Sequence, residues 1–353
     1  MLKILTVVGA RPQFIKAASI SREISKYSDI KEVIVHTGQH FDNNMSDIFF
    51  DEMKIPKPNY NLNINGLSHG AMTGQMLEKI EVVLYSEKPD VVLVYGDTNS
   101  TIAGALAAAK LHIKVAHIEA GLRSYNNFMP EEINRILTDR ISNILFCPTE
   151  TAILNLSKEG FGNSDCNIVK SGDVMLDTAL FYSEFESKPL FQLPEKFILA
   201  TIHRAENTGK LVNLKSIISA LEEINESISV ILPLHPGTRN IIHTEKINTG
   251  NILIVEPVGY FQIVYLLRRA QMILTDSGGM QKEAFFFKKN CITLRQETEW
   301  VELVENNFNK LAGSDKKLIL DVFENHRFNK DFDINLYGNG EASKLIVEYL
   351  KNY

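Results

Sequence analysis

Residues 91–123 read VVLVYGDTNSTIAGALAAAKLHIKVAHIEAGLR, a strand–helix–strand pattern. Two continuous apolar runs, Val91–Tyr95 and Val115–Ile118, flank a helical segment over Thr98–Leu111. Strands that are apolar without alternation are expected where helices cover both faces of a parallel sheet. This stretch therefore predicts a parallel α/β fold.

The same alternation extends outward from this unit in both directions. In the first half the other strand and helix candidates are, in chain order, Leu2–Val8, Phe14–Ser25, Glu32–His36, Met72–Ser86, Glu131–Ser142, Ile144–Cys147 and Ile168–Val169. After residue 170 the alternation restarts with Phe197–Thr201, Leu211–Ile224, Val230–Leu234, Ile252–Val255, Ile263–Arg269, Met272–Thr275, Gln281–Phe287 and Ile292–Leu294. We therefore expect two Rossmann-like domains, residues 1–170 and 171–340, which face one another across a cleft.

Composition narrows the class of protein. Of 353 residues, 44% are hydrophobic and 23% are charged, which is ordinary for a soluble globular protein and excludes a disordered or fibrous chain. A net charge of −6 without a basic stripe argues against a nucleic-acid partner. No apolar stretch approaches the roughly 18 residues of a membrane helix. The three cysteines are far apart, so we expect neither disulfides nor a zinc site, and a cytoplasmic location.

The first strand ends in a turn with two cations. Gly9-Ala-Arg-Pro-Gln follows Leu2–Val8, and Lys16 comes one turn into the next helix. Arg11 and Lys16 would then lie at a helix N-terminus, where the dipole already favours an anion. The alternative is a simple strand-to-helix turn with two solvated cations.

Carboxylates follow three further elements of the first domain. Asp97 comes after Val91–Tyr95, Glu119 comes after Val115–Ile118, and Glu131 begins the next helix. Asp97 could merely cap a helix, and the helix dipole favours Glu131 in any case. Glu119 has no evident capping role. Two or three carboxylates at one cleft suit acid/base chemistry on both faces of a carbon atom.

In the second domain, Asp276-Ser-Gly-Gly follows a strand and opens a helix that carries Glu283. The hydroxyl of Ser277 and the free N–H groups at Gly278 and Gly279 would suit a diphosphate, and Glu283 a ribose. The alternative is an ordinary N-cap followed by flexible glycines. Neither a G-x-G-x-x-G nor a Walker motif is present, so the phosphate would belong to a substrate and not to bound NAD or ATP.

Histidines follow two strands of the second domain and one loop of the first. His203 and His235 come after Phe197–Thr201 and Val230–Leu234, and His40 ends the sequence Thr37-Gly-Gln-His. No third metal ligand accompanies His203 and His235, so phosphate contact or charge stabilisation is the favoured role and no metal is expected. His40 is a weaker candidate for a similar role.

Taken together, these segments resemble the non-hydrolysing UDP-N-acetylglucosamine 2-epimerase family. The matching strings begin at Gly9 (GARP), Gly38 (GQH), Gly96 (GDT), Glu119 (EAGLR), Pro130 (PEEINR), His203 (HR), Thr275 (TDSGG) and Leu336 (LYGNG). The resemblance implies the glycosyltransferase-B architecture, with a C-terminal helix at about 341–353 that returns to the first domain. It also implies a cytoplasmic homodimer that needs neither metal nor NAD and supplies surface polysaccharide synthesis.

The resemblance further implies a reaction and a set of roles. UDP leaves C1 of the sugar while the C2 proton is removed, which gives a 2-acetamidoglucal. UDP then re-adds as C2 is protonated on its other face. The implied catalytic residues are Asp97, Glu119, Glu131 and His203. The implied substrate-binding residues are Arg11, Lys16, Gln39, His40, Arg135, His235, Tyr260, Ser277, Gly278, Gly279 and Glu283.

Two segments depart from the common family pattern. The chain has Thr298-Glu-Trp-Val-Glu where the family commonly has Thr-Glu-Arg-Pro-Glu, and His203-Arg-Ala-Glu where it has His-Arg-Arg-Glu. Both variants resemble the subgroup that acts on UDP-2,3-diacetamido-2,3-dideoxy-glucuronate. UDP-N-acetylglucosamine is the first expected substrate and the diacetamido uronate is the alternative. A glycosyltransferase of the same fold would not need three carboxylates. A hydrolysing epimerase usually has Gly-Thr-Arg-Ala-Asp in its first loop.

Overall fold

Two separate units make up the computed structural model, which describes residues 1–39 and 55–353. The first unit combines Met1–Leu180 with Asn335–Tyr353, and the second unit is Phe181–Ile334. The chain therefore passes into the second unit after Leu180, and not at residue 170 where the strand pattern places the domain boundary. It returns to the first unit at Asn335.

The first unit contains one parallel sheet with its strands in the order β3-β2-β1-β4-β5-β6-β7. The strands are β1 Leu2–Val8, β2 Ile30–His36, β3 Tyr60–Asn61, β4 Val91–Tyr95, β5 Lys114–Ile118, β6 Ile144–Cys147 and β7 Asn167–Lys170. The helices are α1 Arg11–Ile24, α2 His69–Glu87, α3 Asn99–Lys110, α4 Pro130–Ile141, α5 Glu150–Lys158, α6 Val174–Tyr182 and, at the end of the chain, α14 Ala342–Asn352.

Burial explains why the central strands of this sheet are apolar throughout. Every residue of Val91–Tyr95 is buried. Leu5 and Val7 of β1 pack in one cluster with Met76 and Ile80 of α2. A strand covered by helices leaves no face for polar side chains, so its sequence shows no alternation.

The second unit contains a smaller parallel sheet, in the order β10-β9-β8-β11-β12-β13. The strands are β8 Phe197–Thr201, β9 Ser229–Pro233, β10 Leu253–Val255, β11 Ile273–Thr275, β12 Cys291–Thr293 and β13 Asn309–Leu311. The helices are α7 Ala205–Thr208, α8 Leu211–Asn225, α9 Pro236–Thr244, α10 Tyr260–Arg269, α11 Gly278–Phe286, α12 Val301–Glu305 and α13 Lys316–Asn325. Within the described ranges, none of the helices combines the length and apolar character that a membrane span requires.

Hydrogen bonds from α6 explain where the first unit ends. Thr178 of α6 donates through its hydroxyl to the backbone carbonyl of Ile15 in α1, at 3.0 Å. Asp177 accepts the backbone N–H groups of Ala342 and Ser343 at 3.2 and 2.7 Å. These bonds attach α6 to α1 and attach the start of α14 to α6, so the first unit includes α14 and α6 as far as Leu180.

Each sheet has one point at which the strand order reverses. In the first unit the chain builds outward from β1 through β2 to β3, and then begins again on the other side of β1 with β4. In the second unit β8 has the same place, with β9 on one side and β11 on the other. Ligands of such sheets bind in the crevice at the carboxyl ends of these strands. The segments that follow β1, β4, β8 and β11 are therefore the candidate positions of a ligand site.

Candidate active site

The turn after β1 is held to the end of β4 by Gln13. Its side-chain oxygen accepts the N–H groups of Gly9 and Ala10 at 2.8 and 3.0 Å. Its side-chain nitrogen donates to the carbonyl of Tyr95 at 2.9 Å. This link fixes the beginning of α1, where Arg11 is the first residue and is only partly buried. Sequence reasoning did not assign a role to Gln13.

Glu119 forms a buried ion pair with Lys16 of α1. Both side chains are less than a tenth exposed. Glu119 has a backbone φ of +71°, in the left-handed region that costs a residue other than glycine about 1–3 kcal/mol. Strain of this kind is concentrated at functional sites. The observed backbone conformation supports the sequence-based choice of Glu119, whereas Lys16 pairs with a carboxylate and was expected to face an anionic ligand.

Asp97 forms an ion pair with the guanidinium of Arg135, which projects from α4. Arg135 is buried, while the side chain of Asp97 is partly exposed. The second partner of Arg135 is Glu132, at 2.9 Å, and Glu132 also accepts the backbone N–H groups of Ser124 and Tyr125. Arg135 therefore holds the Asp97 carboxylate from one side and leaves its other side open to solvent.

Glu131 and Glu132 are neighbours in sequence but differ in their surroundings. Glu132 is fully buried, and its hydrogen bonds organise the loop that precedes α4. Glu131 is only partly buried in the first turn of α4. Within residues 1–39 and 55–353, the Glu131 carboxylate has no hydrogen bond or ion pair with the protein. It is therefore the one of the two that could exchange a proton with a ligand.

Gln39 contacts the start of α3. Its side-chain oxygen accepts the backbone N–H and the hydroxyl of Ser100, at 3.1 and 2.8 Å. Ser100 lies three residues after Asp97, so Gln39 contacts the same β4–α3 connection. His40, the other candidate of this loop, lies outside the described residues.

In the second unit, Asp276 organises the loop that follows β8. Its carboxylate accepts the N–H groups of His203 and Arg204 at 3.1 Å and the side-chain amide of Asn207 at 3.0 Å. The imidazole Nδ1 of His203 lies 3.1 Å from the same carboxylate. Burial alone would raise the pKa of Asp276, but the hydrogen bonds from His203 and Asn207 lower it below the usual value. The His203 side chain is thereby oriented while 55% of it remains exposed.

The segment after β11 forms the start of α11. Ser277 is its N-cap, and the hydroxyl accepts the N–H of Met280 at 3.4 Å. A Cβ atom at Gly278 would lie 2.7 Å from a carboxylate oxygen of Glu299, so a larger residue would require this carboxylate or the helix start to move. Gly279 follows in the first turn of α11, and Glu283, one turn further on, is buried. Glu299 is held by Arg295 at 2.9 Å.

His235 and Tyr260 lie at other helix starts of the second unit. His235 is the N-cap of α9, and its Nδ1 accepts the N–H of Gly237 at 3.2 Å. Its side chain is exposed at the end of β9, next to β8. Tyr260 is 2% exposed, and its ring packs edge-on against Tyr182 at a centroid distance of 6.1 Å. The structure therefore places Tyr260 in an aromatic cluster.

The sheet orders and the charged segments at both reversal points define a two-unit α/β enzyme of the Rossmann type. A family model described as UDP-N-acetylglucosamine 2-epimerase matches residues 22–351. The UDP-2,3-diacetamido-2,3-dideoxy-D-glucuronate 2-epimerase of Pseudomonas aeruginosa is 54% identical over 99% of both chains. The UDP-N-acetylglucosamine 2-epimerase of Methanocaldococcus jannaschii is 43% identical, also over 99% of both chains.

Solved structures agree with these sequence comparisons. The M. jannaschii enzyme in complex with UDP-GlcNAc and UDP superimposes with a TM-score of 0.87, at 42% identity over 100% of this chain and 99% of that chain. The Neisseria meningitidis enzyme bound to UDP-GlcNAc gives 0.90, at 35% identity over 100% of both chains. The chain belongs to the UDP-N-acetylglucosamine 2-epimerase family and is an isomerase. The predicted family and fold class are thereby confirmed.

Proposed function

We propose that the protein epimerises C2 of a UDP-2-acetamido sugar without hydrolysing it, and converts UDP-N-acetylglucosamine to UDP-N-acetylmannosamine. The C2 proton of such a sugar is not next to a carbonyl, so its direct removal would be very slow. If the C1–O bond to UDP breaks as C2 loses its proton, the products are a 2-acetamidoglucal with a C1=C2 double bond and UDP. UDP then adds back to C1 while C2 takes a proton on the opposite face. No oxidant is needed.

The observation that carries this proposal is the pair of carboxylates after adjacent strands. Asp97 follows β4 and Glu119 follows β5, and these two strands pair directly. Each carboxylate lies against a buried cation, Arg135 or Lys16. Carboxylates placed at neighbouring strand ends suit proton transfer to and from one carbon atom. We assign Asp97, Glu119 and Glu131 to the proton transfers at C2, with Arg135 in a supporting role.

We assign the binding of UDP chiefly to the second unit. The N-terminus of α11, with Ser277, Gly278 and Gly279, offers N–H groups to an anion, and the helix dipole has the right sign for a diphosphate. His203 would stabilise charge on the departing phosphate, and Glu283 would accept hydrogen bonds from the ribose. From the first unit, Arg11 would bind substrate phosphate and Gln39 would also contact the substrate, whereas Lys16 is paired with Glu119. His235 completes the proposed set of substrate-binding residues, whereas Tyr260 is buried in the aromatic cluster.

A second candidate substrate is UDP-2,3-diacetamido-2,3-dideoxy-glucuronate. The relative named for that substrate is 54% identical to this chain, against 43% for the M. jannaschii UDP-N-acetylglucosamine 2-epimerase. Trp300 stands where the family commonly has arginine, and it is buried under the ammonium group of Lys282, which lies 4.0 Å from the ring centroid. The chemistry at C2 would be the same for both sugars.

Proton NMR in D2O tests the proposed reaction. Each UDP-sugar is incubated with purified protein without added NAD or metal. We expect the manno epimer to appear with deuterium at C2, and free UDP not to accumulate. Steady release of UDP with free N-acetylmannosamine would indicate a hydrolysing epimerase. Transfer of the sugar to an acceptor would indicate a glycosyltransferase.

The choice between the two sugars follows from the same measurement. Comparable protein concentrations are used with both, and kcat/KM is compared. A larger value for UDP-N-acetylglucosamine would establish the first substrate. Turnover of the diacetamido uronate alone would support the proposed reaction at C2 and show that the second candidate is the substrate. No deuterium incorporation into either sugar would overturn the proposal.

We further infer a homodimer that works in the cytoplasm and supplies surface polysaccharide synthesis, as the family resemblance implies. Light scattering during size-exclusion chromatography tests the first part, since a monomer has half the expected mass. Fractionation of cells that express the chain tests the second part, because the protein should stay with the cytoplasmic fraction.

A further inference from the structure

A buried group of charged side chains connects the loops that carry Asp97 and Glu119. Its members are His117 of β5, Arg123 of the following loop, Asp139 of α4 and Glu159 beyond α5. His117, Arg123 and Asp139 are at most 1% exposed. None of the four is assigned a role in the chemistry proposed above. We call this group the charged hub.

Asp139 is the centre of the hub, because both of its oxygens are used. One oxygen lies 2.7 Å from Nδ1 of His117. The other accepts from the Arg123 guanidinium at 2.7 Å and from the backbone N–H of Gly121 at 3.1 Å. Gly121 has φ of +79° and lies two residues after Glu119. Asp139 therefore holds the loop after β5 by a side chain and by the backbone.

His117 extends the hub to the loop after β4. Its Nε2 lies 2.7 Å from the backbone carbonyl of Gly96, the residue before Asp97. Gly96 has a left-handed φ of +61°, and its N–H donates to the carbonyl of Ile118 at 3.0 Å. One buried imidazole thus connects the turn that presents Asp97 to the carboxylate that holds the Glu119 loop.

Both ring nitrogens of His117 face hydrogen-bond acceptors. Nδ1 lies against the Asp139 carboxylate and Nε2 against the carbonyl of Gly96. Burial alone would raise the pKa of Asp139, but the hydrogen bond from His117 and the charge of Arg123 lower it, which keeps the carboxylate ionised. The Arg123 guanidinium pairs with both carboxylates of the hub, at 2.7 Å from Asp139 and 2.6 Å from Glu159. A buried group of charges is tolerated when it is paired and hydrogen-bonded in this way.

We propose that Asp139 is a positioning residue that sets the separation of Asp97 and Glu119 by anchoring both of their loops. His117 transmits the anchoring to the Asp97 loop, and Gly121 and Arg123 transmit it to the Glu119 loop. The kinetic part of this proposal depends on the epimerase function proposed above. Elimination and re-addition need two carboxylates at a fixed distance from one carbon atom. A displacement of about 1 Å can lower a rate roughly 100-fold.

Steady-state kinetics test the consequence for catalysis. Asp139→Asn puts an amide where three groups converge on the carboxylate, so at least one of these three contacts is lost. We expect kcat to fall about 100-fold while KM stays near that of the unchanged protein, because the UDP-binding residues are untouched. We also expect more 2-acetamidoglucal and UDP to escape per epimerisation, since the second proton is delivered late.

Asp177→Asn is the matched control. Asp177 is a buried aspartate of the same unit that accepts two backbone N–H groups at the start of α14. Its loss should lower thermal stability without lowering kcat or releasing the glucal. If Asp177→Asn and Asp139→Asn lower kcat equally, Asp139 acts only through stability and the positioning role is refuted.

Hydrogen–deuterium exchange tests the anchoring without any need for activity. Exchange is followed in peptides that cover residues 95–98 and 119–124. Asp139→Asn should speed exchange in both peptides, His117→Gln in the first peptide mainly, and Asp177→Asn in neither. His117→Gln also serves as the test variant if Asp139→Asn does not fold.

The exchange and kinetic results separate the two proposals. Unchanged exchange in both peptides for Asp139→Asn and His117→Gln would overturn the anchoring, whatever the activity. If the unchanged protein epimerises neither UDP-sugar, the proposed function fails, and the exchange pattern still decides whether the hub holds both loops.

Discussion

An aspartate follows the strand next to the reversal point in each unit, and the two aspartates have opposite surroundings. Asp97 follows β4, which pairs with β1, and Asp276 follows β11, which pairs with β8. The Asp97 side chain is 28% exposed and has a guanidinium on one side. Asp276 is fully buried, and its carboxylate accepts hydrogen bonds from backbone N–H groups of the loop after β8.

The difference arises from the residues around each aspartate. Gly96 adopts a left-handed conformation before Asp97, and the carboxylate that follows pairs with Arg135 and stays partly exposed. Asp276 follows Thr275 without an intervening glycine, and its side chain faces the loop after β8. The comparison teaches that position at a strand end is not sufficient for a chemical role. The first unit presents charged side chains, whereas the second unit presents the N-terminus of a helix.

The largest effect should come from removing a charge in the first unit. We expect Asp97→Asn or Glu119→Gln to lower turnover by more than about 100-fold, a typical size for the loss of an acid/base group. The measurement is the rate of deuterium incorporation at C2. Asp90→Asn is the control, since Asp90 lies just before the same strand and accepts the N–H of Lys3 at 2.7 Å. Turnover close to normal in both Asp97→Asn and Glu119→Gln would contradict the assignment.

Asp276→Asn should reduce stability and affect kcat less than Asp97→Asn does. Asparagine has only one acceptor oxygen, so it cannot accept all the hydrogen bonds that now reach the two oxygens of Asp276. We therefore expect the free energy of unfolding to fall by about 1–3 kcal/mol at neutral pH. The folded-state pKa of Asp276 lies below its ordinary value of 3.8, so its stabilisation is complete above that value and is lost as pH falls through the folded pKa.

Thermal melting at a series of pH values tests this. The difference in Tm between the unchanged protein and Asp276→Asn should be constant from neutral pH to about pH 5 and should narrow only in stronger acid. A difference that already narrows above about pH 5 would mean that Asp276 is not held ionised. Equal losses of kcat in Asp276→Asn and Asp97→Asn would remove the contrast between the two aspartates.

A smaller effect is expected at the helix start in the second unit. Gly278→Ala would place a Cβ atom 2.7 Å from Glu299, so either this carboxylate or the start of α11 must move. We expect UDP to bind about 10-fold more weakly, which is about 1.4 kcal/mol, with kcat largely kept. Calorimetric titration with UDP measures this. Gly162→Ala is the control, because a Cβ atom there would meet nothing within 4 Å. Unchanged UDP binding in Gly278→Ala would move the diphosphate site elsewhere.

The central strands were predictable because burial on both faces of the sheet requires a continuous apolar run in the sequence. Three strands begin and end in the structure where their apolar runs predict: Leu2–Val8, Val91–Tyr95 and Phe197–Thr201. The edge strands Tyr60–Asn61 and Asn309–Leu311 were missed, since they are short and partly polar. An edge strand is recruited by its neighbour, and its own sequence carries little of that information.

The candidate site was predictable in its positions but not in its pairings. Asp97 and Glu119 could be chosen because each follows an apolar strand. The pairing of Lys16 with Glu119 depends on the order of strands in the sheet, which brings α1 next to the end of β5. The same holds for His117, which lies among the apolar residues of a strand, and for Asp139, which is one of several polar residues of a helix. A sequence without an alignment does not show which polar residues share a hydrogen bond.

The cysteines provide the prediction with the smallest effect. Cys147 ends β6 at the carboxyl edge of the first sheet, but β6 is two strands away from β4 and the thiol is fully buried. Cys291 begins β12 at the opposite edge of the second sheet, and burial raises its pKa to about 12. Burial also raises the pKa of Cys147. Cys166 is the third cysteine and is only partly buried. Iodoacetamide at about pH 8 should therefore modify Cys166 alone, as intact-mass spectrometry would show, and turnover should not change. Modification of Cys147 with loss of turnover would mean that the site extends along the carboxyl edge as far as β6, beyond the reversal point at β1 and β4.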